Sequence, residues 1–195
     1  MKMKTINICK IALLCCAFIS LSACSDFFET DNASVLPGDD YMKEGSEMYS
    51  GFIGVITKMQ AIGDKAIYLT DTRAEMLEPL GNSSELYQLY NYDTDLQNNT
   101  YADPAAYYDV IIACNDYLHK VNEYKATHYY VDEDHFQCLV SGTLRVKAWV
   151  YLTLGKIYGE ALWFDDPMQS LTDISGYERL DLTGIIRKCI DLLDN

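Results

Sequence analysis

Three histidines, His119, His128 and His135, are the only imidazoles in 195 residues, and imidazole is the side chain best suited to acid–base work near neutral pH. None lies in a pattern that would use it. The chain has no His-Glu-x-x-His, no Gly-x-Ser-x-Gly and no phosphate- or dinucleotide-binding glycine loop. His119 falls at a helix end and His128 in a polar linker, where solvent exposure is expected. His135 follows Glu133 and Asp134, where surface charge pairing is expected. Asp93-x-Asp95-x-Gln97 has the alternation of a calcium loop, but it lacks the turn glycine and reaches Pro104 where the final glutamate would stand. Among 29 acidic residues no spacing singles out the opposed carboxylates a glycosidase needs. The expectation is a protein that is not an enzyme and holds no metal or cofactor.

The thiols divide into two groups. Cys9, Cys15 and Cys16 lie in an N-terminal segment whose only charges are Lys2, Lys4 and Lys10. Those lysines precede the apolar run Ile11–Ile19, which passes into Leu21-Ser22-Ala23-Cys24. A basic start, a short apolar stretch and a small-residue exit form a secretory signal over residues 1–23. The run is too short for a membrane span, which needs about 20 apolar residues. Leu-Ser-Ala-Cys resembles a bacterial lipobox, in which the cysteine sulfur forms a thioether to diacylglycerol and the residue becomes the mature N-terminus. Cys24 is therefore the expected lipidation site, since two or three acyl chains give the stable anchoring that one does not. Cys114, Cys138 and Cys189 remain. Their spacing fits no zinc pattern and no Cys-x-x-Cys occurs. Cys114 and Cys189 fall on apolar helix faces, where core packing is expected, while one disulfide among the three stays open in an oxidising compartment.

Hydrophobic residues make up 49% of the chain and charged residues 23%, an ordinary globular balance. The net charge is −14. Loss of three lysines with the signal leaves 12 basic against 29 acidic residues, a net −17. That sign disfavours nucleic acid and anionic membrane surfaces as partners. Tyrosine is overused, with 16 against 6 Phe and 2 Trp.

The elements that must position any site read as helices. Residues 24–39 are a polar tether containing Pro37 and Gly38. Met48, Phe52, Val55, Ile56, Met59 and Ile62 mark one face of a helix near 40–62. A second, weaker helix fits 65–77, ended by Pro79 and Gly81. Residues 80–103 are polar and tyrosine-rich and predict a long loop with at most a short helical turn; such segments are often functional. Asp103 reads as an N-cap with Pro104 at the first helical position, leading into the stripe Tyr107, Val110, Ile111, Cys114, Tyr117, Leu118 and Val121. The longest helix spans about 132–158, with Phe136, Leu139, Val146, Trp149, Val150, Thr153, Leu154 and Ile157 inward. Its small Gly142, Ala148 and Gly155 admit a close neighbour, and Gly159 stops it. A loop with Asp165, Asp166 and Pro167 leads to a final stripe of Leu182, Ile185, Ile186, Cys189 and Leu193. No alternating strand exceeds a few residues. The expected fold is all-α, built of antiparallel helix pairs, and Tyr151-x-x-Leu154-Gly155-x-x-Tyr158 is similar to the first-helix half of a tetratricopeptide repeat.

These features together resemble the SusD/RagB family of outer-membrane nutrient-binding lipoproteins of Bacteroidetes. The resemblance rests on the lipobox followed by Ser25-Asp26-Phe27-Phe28-Glu29, on Tyr107–Asn115 with its isoleucine pair and Asn, and on Leu144–Tyr151 running on to Ile157-Tyr158-Gly159. Lys147 stands where that family usually has Arg, a departure that bears on a structural ion pair. Family members are considerably longer, so the resemblance implies that residues 40–195 are an N-terminal, incomplete SusD-like helical domain. It also implies a lipid-anchored, surface-exposed protein of the outer membrane. Such a protein captures oligosaccharides or other nutrients and delivers them to a SusC-like TonB-dependent transporter.

Carbohydrate binding stacks flat aromatic faces on pyranose rings and bridges hydroxyls with planar polar groups. Asp71, Arg73, Tyr87, Tyr90, Asn91 and Tyr92 supply that mixture and are the expected ligand-binding residues. The competing structural expectation is that Tyr87 and Tyr90 pack a short helix while Asp71 pairs with Arg73 at the surface. Two other functions fit the same body: a helical-repeat scaffold or adhesin that binds only protein, and a lipid-anchored hydrolase.

Overall fold

The computed structural model describes residues 41–168 and 176–194. The expected signal 1–23, the lipidation site Cys24 and the tether 24–39 lie outside them. Helix α1 is Gly45–Asp71, α2 is Ser84–Tyr90, α3 is Ala105–Thr127 and α4 is Glu133–Tyr158. Strands β1 (Glu160–Trp163) and β2 (Glu178–Asp181) pair antiparallel, with Glu160 opposite Asp181 and Trp163 opposite Glu178. Helix α5, Leu182–Asp194, follows directly. The all-α expectation holds, with one two-stranded hairpin among the described residues. Strands of four residues offer only two alternations each, too few to distinguish from loop in the sequence.

Helix α1 corrects the two helices expected at 40–62 and 65–77. Met48, Val55, Ile62 and Leu69 are all buried, so one apolar face continues past Gly63 and Asp64. A mid-helix glycine costs about 1 kcal/mol, which packing of that face against α3 and α4 offsets. The helix ends at Asp71, where the Asp71 carbonyl accepts from Met76 N at 2.9 Å and Glu75 turns left-handed (φ 59°).

Helix α3 runs antiparallel to both α1 and α4. Tyr117 Oη donates to the Met48 carbonyl at 2.9 Å near the start of α1, and Tyr107 meets Tyr158 edge-on at 6.3 Å near the end of α4. Asp103 accepts from Ala105 N at 2.9 Å, so α3 begins one residue later than expected, with Pro104 itself at the cap. Asp132 caps α4 by accepting from His135 N at 2.9 Å, and Gly159 ends it in the left-handed region (φ 82°). Only glycine adopts that backbone without cost.

The small residues of α4 admit neighbours as expected. A Cβ on Gly142 would stand 2.9 Å from Phe52 Cζ, and one on Gly155 would stand 2.9 Å from Ile185 Cδ1. Ile185 and Cys189 are the buried residues of α5, whereas Ile186 and Leu193 of the expected stripe are exposed. Trp149, expected inward, is also exposed, and its neighbours Val146, Lys147, Ala148 and Val150 are buried instead. Cys114 and Cys189 are buried, Cys138 is exposed, and all three are free thiols.

Lys147 is the unexpected core residue, 1% exposed. Its ammonium pairs with Asp165 Oδ1 at 2.8 Å and lies 5.7 Å from the centre of the Trp163 ring. Trp163 Nε1 donates to Asp165 Oδ2 at 2.9 Å, Tyr151 Oη accepts from Phe164 N at 3.1 Å, and Asn115 Nδ2 donates to the Phe164 carbonyl at 3.1 Å. One buried polar network thus ties residues 163–166 to α3 and α4. Burial works against the Asp165 carboxylate, but the hydrogen bond and charge of Lys147 and the Trp163 N–H outweigh it and hold the carboxyl below its ordinary range.

Candidate functional site

The tyrosine-rich region lies where α1 and α4 end and α3 begins. Ser83 caps α2 by accepting from Leu86 N at 3.4 Å, and fully buried Leu89 fixes the helix to the body. The segment after α2 is pinned by its own polar side chains. Asn99 Nδ2 donates to the Glu85 carbonyl at 2.9 Å, Thr100 N donates to Glu85 Oε1 at 2.7 Å, and Lys65 Nζ of α1 donates to the Thr100 carbonyl at 2.8 Å. Tyr158 Oη holds the Ala102 carbonyl at 3.0 Å, and Tyr68 meets Tyr101 edge-on at 5.4 Å. The calcium-like carboxylates serve backbone instead: Asp93 accepts from Asp95 N and Asp95 from Gln97 N. Among the described residues no group of three or more His, Cys, Asp or Glu could hold a metal ion.

These supports leave an open cleft of about 640 Å³ between the C-terminal ends of α1 and α4. Leu69, Thr70, Arg73 and Ala74 form one wall, Lys156, Ile157 and Tyr158 the other, and Leu96 and Ala102 close it. Its surface is apolar apart from two cations and the rim hydroxyls. At its edge Arg73 places its guanidinium carbon 5.9 Å from the centre of the Tyr92 ring. Tyr92 Oη donates to Glu75 Oε1 at 2.9 Å, and this hydrogen bond, with burial and the Glu75 charge behind it, raises the phenol above its ordinary value. Tyr92 (φ 58°) and Glu75 (φ 59°) both sit in the left-handed region, which a bulky side chain enters at roughly 1–2 kcal/mol. Tyr92, 48% exposed, thus presents its ring at the edge of the cleft, tied to Glu75 by one exposed hydrogen bond.

The structure therefore gathers some of the expected residues and scatters others. Arg73 lines the cleft and Tyr92 stands at its edge. Asp71 does not pair with Arg73; its Oδ1 accepts from Thr70 Oγ1 at 3.0 Å. Tyr87 and Tyr90 belong to α2, Tyr87 Oη donating to the Pro79 carbonyl at 3.3 Å. Asn91 closes that helix through its backbone, N–H to the Tyr87 carbonyl at 2.9 Å. Lys156, Leu96 and Ala102 also line the cleft without having been expected there, and Tyr158 joins them from a stretch expected only to build the helix. Lys156 left one signal, a cation in the last turn of a helix whose neighbours at 153, 154 and 157 read as core.

The histidines are not gathered at this site. His119 pairs with Glu123 at 3.0 Å and His135 with Asp132 at 3.5 Å, both exposed as expected. His128, expected exposed, is instead half-buried and stacked on Tyr124 with ring centres 4.0 Å apart.

Fold and site together define a helical protein with an aromatic-edged, cation-bearing cleft at one end of its bundle. No protein-family model, no curated protein and no solved structure matches the chain. Among the described residues no helix is long and apolar enough to cross a membrane.

Proposed function

We propose that this chain is a cell-surface lipoprotein that captures oligosaccharides and passes them to a SusC-type TonB-dependent transporter in the outer membrane. Cys24 carries the lipid, the helical body is SusD-like with tetratricopeptide-like pairing, and no catalytic step is involved. The observation that carries the reading is the exposed Tyr92 ring, in contact with Glu75 and Arg73 beside an open cleft. A rigid aromatic face loses little freedom when a pyranose stacks on it, and the neighbouring guanidinium donates in one plane to sugar hydroxyls. The lipobox and the two internal stretches that resemble the SusD/RagB family support the anchoring and the partner.

Isothermal titration against a panel of plant and host polysaccharides tests this reading. Binding to one class of glycan, weakened about tenfold by Tyr92→Ala, is expected. Absence of binding across the panel refutes it.

One observation favours a second reading, a helical-repeat scaffold or adhesin that binds only protein. Ile186, Ile190 and Leu193 expose an apolar stripe on α5, at 41%, 52% and 50%. A stable pull-down of a protein other than a barrel transporter, lost on Ile190→Glu, is the outcome that reading requires.

A further inference from the structure

Some cations of the described residues meet a carboxylate and others, Lys58 and Arg145 among them, do not. Lys120, Lys125, Lys147 and Arg179 each meet a carboxylate at 2.6–3.1 Å. Arg73 and Lys156, the two cations of the cleft, have no carboxylate partner among the described residues, although acids outnumber bases 29 to 15. The nearby acids turn their oxygens to neutral donors, Glu75 to Tyr92 Oη, Asp103 to Ala105 N and Glu85 to Thr100 N, and keep their charge. Both helices present their C-terminal, partially negative ends here, so one cation could serve only to balance a dipole. Two cations on opposite walls of one largely apolar cleft are placed to hold a single anionic group between them.

We propose that the cleft takes an anionic oligosaccharide, its carboxylate or sulfate group held between Arg73 and Lys156 and its sugar rings against Leu96, Ile157 and Tyr92. The inference rests on the capture reading and names its substrate class. Arg73 offers a planar fork suited to an oxyanion, and Lys156 adds a mobile point charge from the opposite wall. The strongly acidic surface elsewhere repels the same ligand, which confines it to this cleft and keeps its binding sensitive to salt.

The test titrates the full chain with three probes: trigalacturonic acid, its neutral methyl ester, and a sulfated galactan trisaccharide. The acid or the sulfate ester is expected to bind about tenfold more tightly than the methyl ester, and whichever wins identifies the group. Arg73→Gln and Lys156→Gln each remove most of that preference for the charged probe over the methyl ester, whereas Arg73→Lys retains part of it and Lys120→Gln all of it. Equal binding of acid and ester overturns the inference and leaves neutral glycan capture standing. Lower thermal stability in both Gln variants, with the preference intact, overturns it in favour of helix-end charge balance. Failure of all three probes, where neutral glycans of the wider panel do bind, also overturns it.

Discussion

Lys147 has a buried ammonium whose ion-pair partner is half outside. Its side chain is 2% exposed and that of Asp165 is 57% exposed, with 2.8 Å between them. Removing one member of a fully buried pair costs about 3–5 kcal/mol, because the other charge is left without compensation. Here water reaches the Asp165 side, and the Trp163 ring at 5.7 Å still faces the ammonium, so Asp165→Asn should cost about 2 kcal/mol. Lys147→Met should cost less, roughly 1 kcal/mol or under, since an apolar chain of similar volume fills the site and Asp165 remains solvated. Urea denaturation followed by circular dichroism measures both. The carboxyl is lower in the folded chain than its ordinary 3.8. Its contribution is therefore complete above that value and is lost as pH falls from there through the folded value, and Asp165→Asn should flatten that acid limb. A larger loss for Lys147→Met than for Asp165→Asn, or an unchanged acid limb, would refute the reasoning.

Other consequences are as direct. Burial pushes the Cys114 thiol up to about 12 and Cys189 up to about 11, in both cases against the Lys147 charge. Maleimide at pH 7.5 should therefore label exposed Cys138 within minutes and the other two only on unfolding; rapid labelling of all three would contradict their packing. Gly155→Val places a branched side chain where even a Cβ stands 2.9 Å from Ile185. It should destabilise the chain by about 2–3 kcal/mol, read as a lowered urea midpoint. Cys24→Ser should abolish palmitate incorporation and move the chain from the membrane pellet to the supernatant; persistent labelling would place the lipid on another residue.

Much of the architecture was legible because it depends on periodicity and punctuation. The Tyr107–Val121 stripe and the Gly159 stop each act within a few residues, and each lies where the spacing puts it. The break expected between 62 and 65 does not occur, because the helix penalty of Gly63 is local while the packing that overcomes it is not. Lys147 makes an ion pair, as expected of its position, but its partner and that of Asn115 lie 18 and 49 residues away, and no local window shows them. Asn115 did leave a trace, falling four residues after Ile111 on the apolar stripe. At the candidate site, composition found Arg73 and Tyr92, but the cleft itself arises where two helix ends meet, so Lys156 and Leu96 join it only in three dimensions. Asp71 and Asn91 were drawn in by the same composition, and their contacts serve the local turns.

A crystal structure of the chain grown with its tightest-binding oligosaccharide tests the account most directly. The account predicts saccharide density in the cleft between α1 and α4, with a sugar ring against Tyr92 and polar contacts to Arg73 and Lys156. Density on another face, or an empty cleft beside an occupied α5, would contradict it.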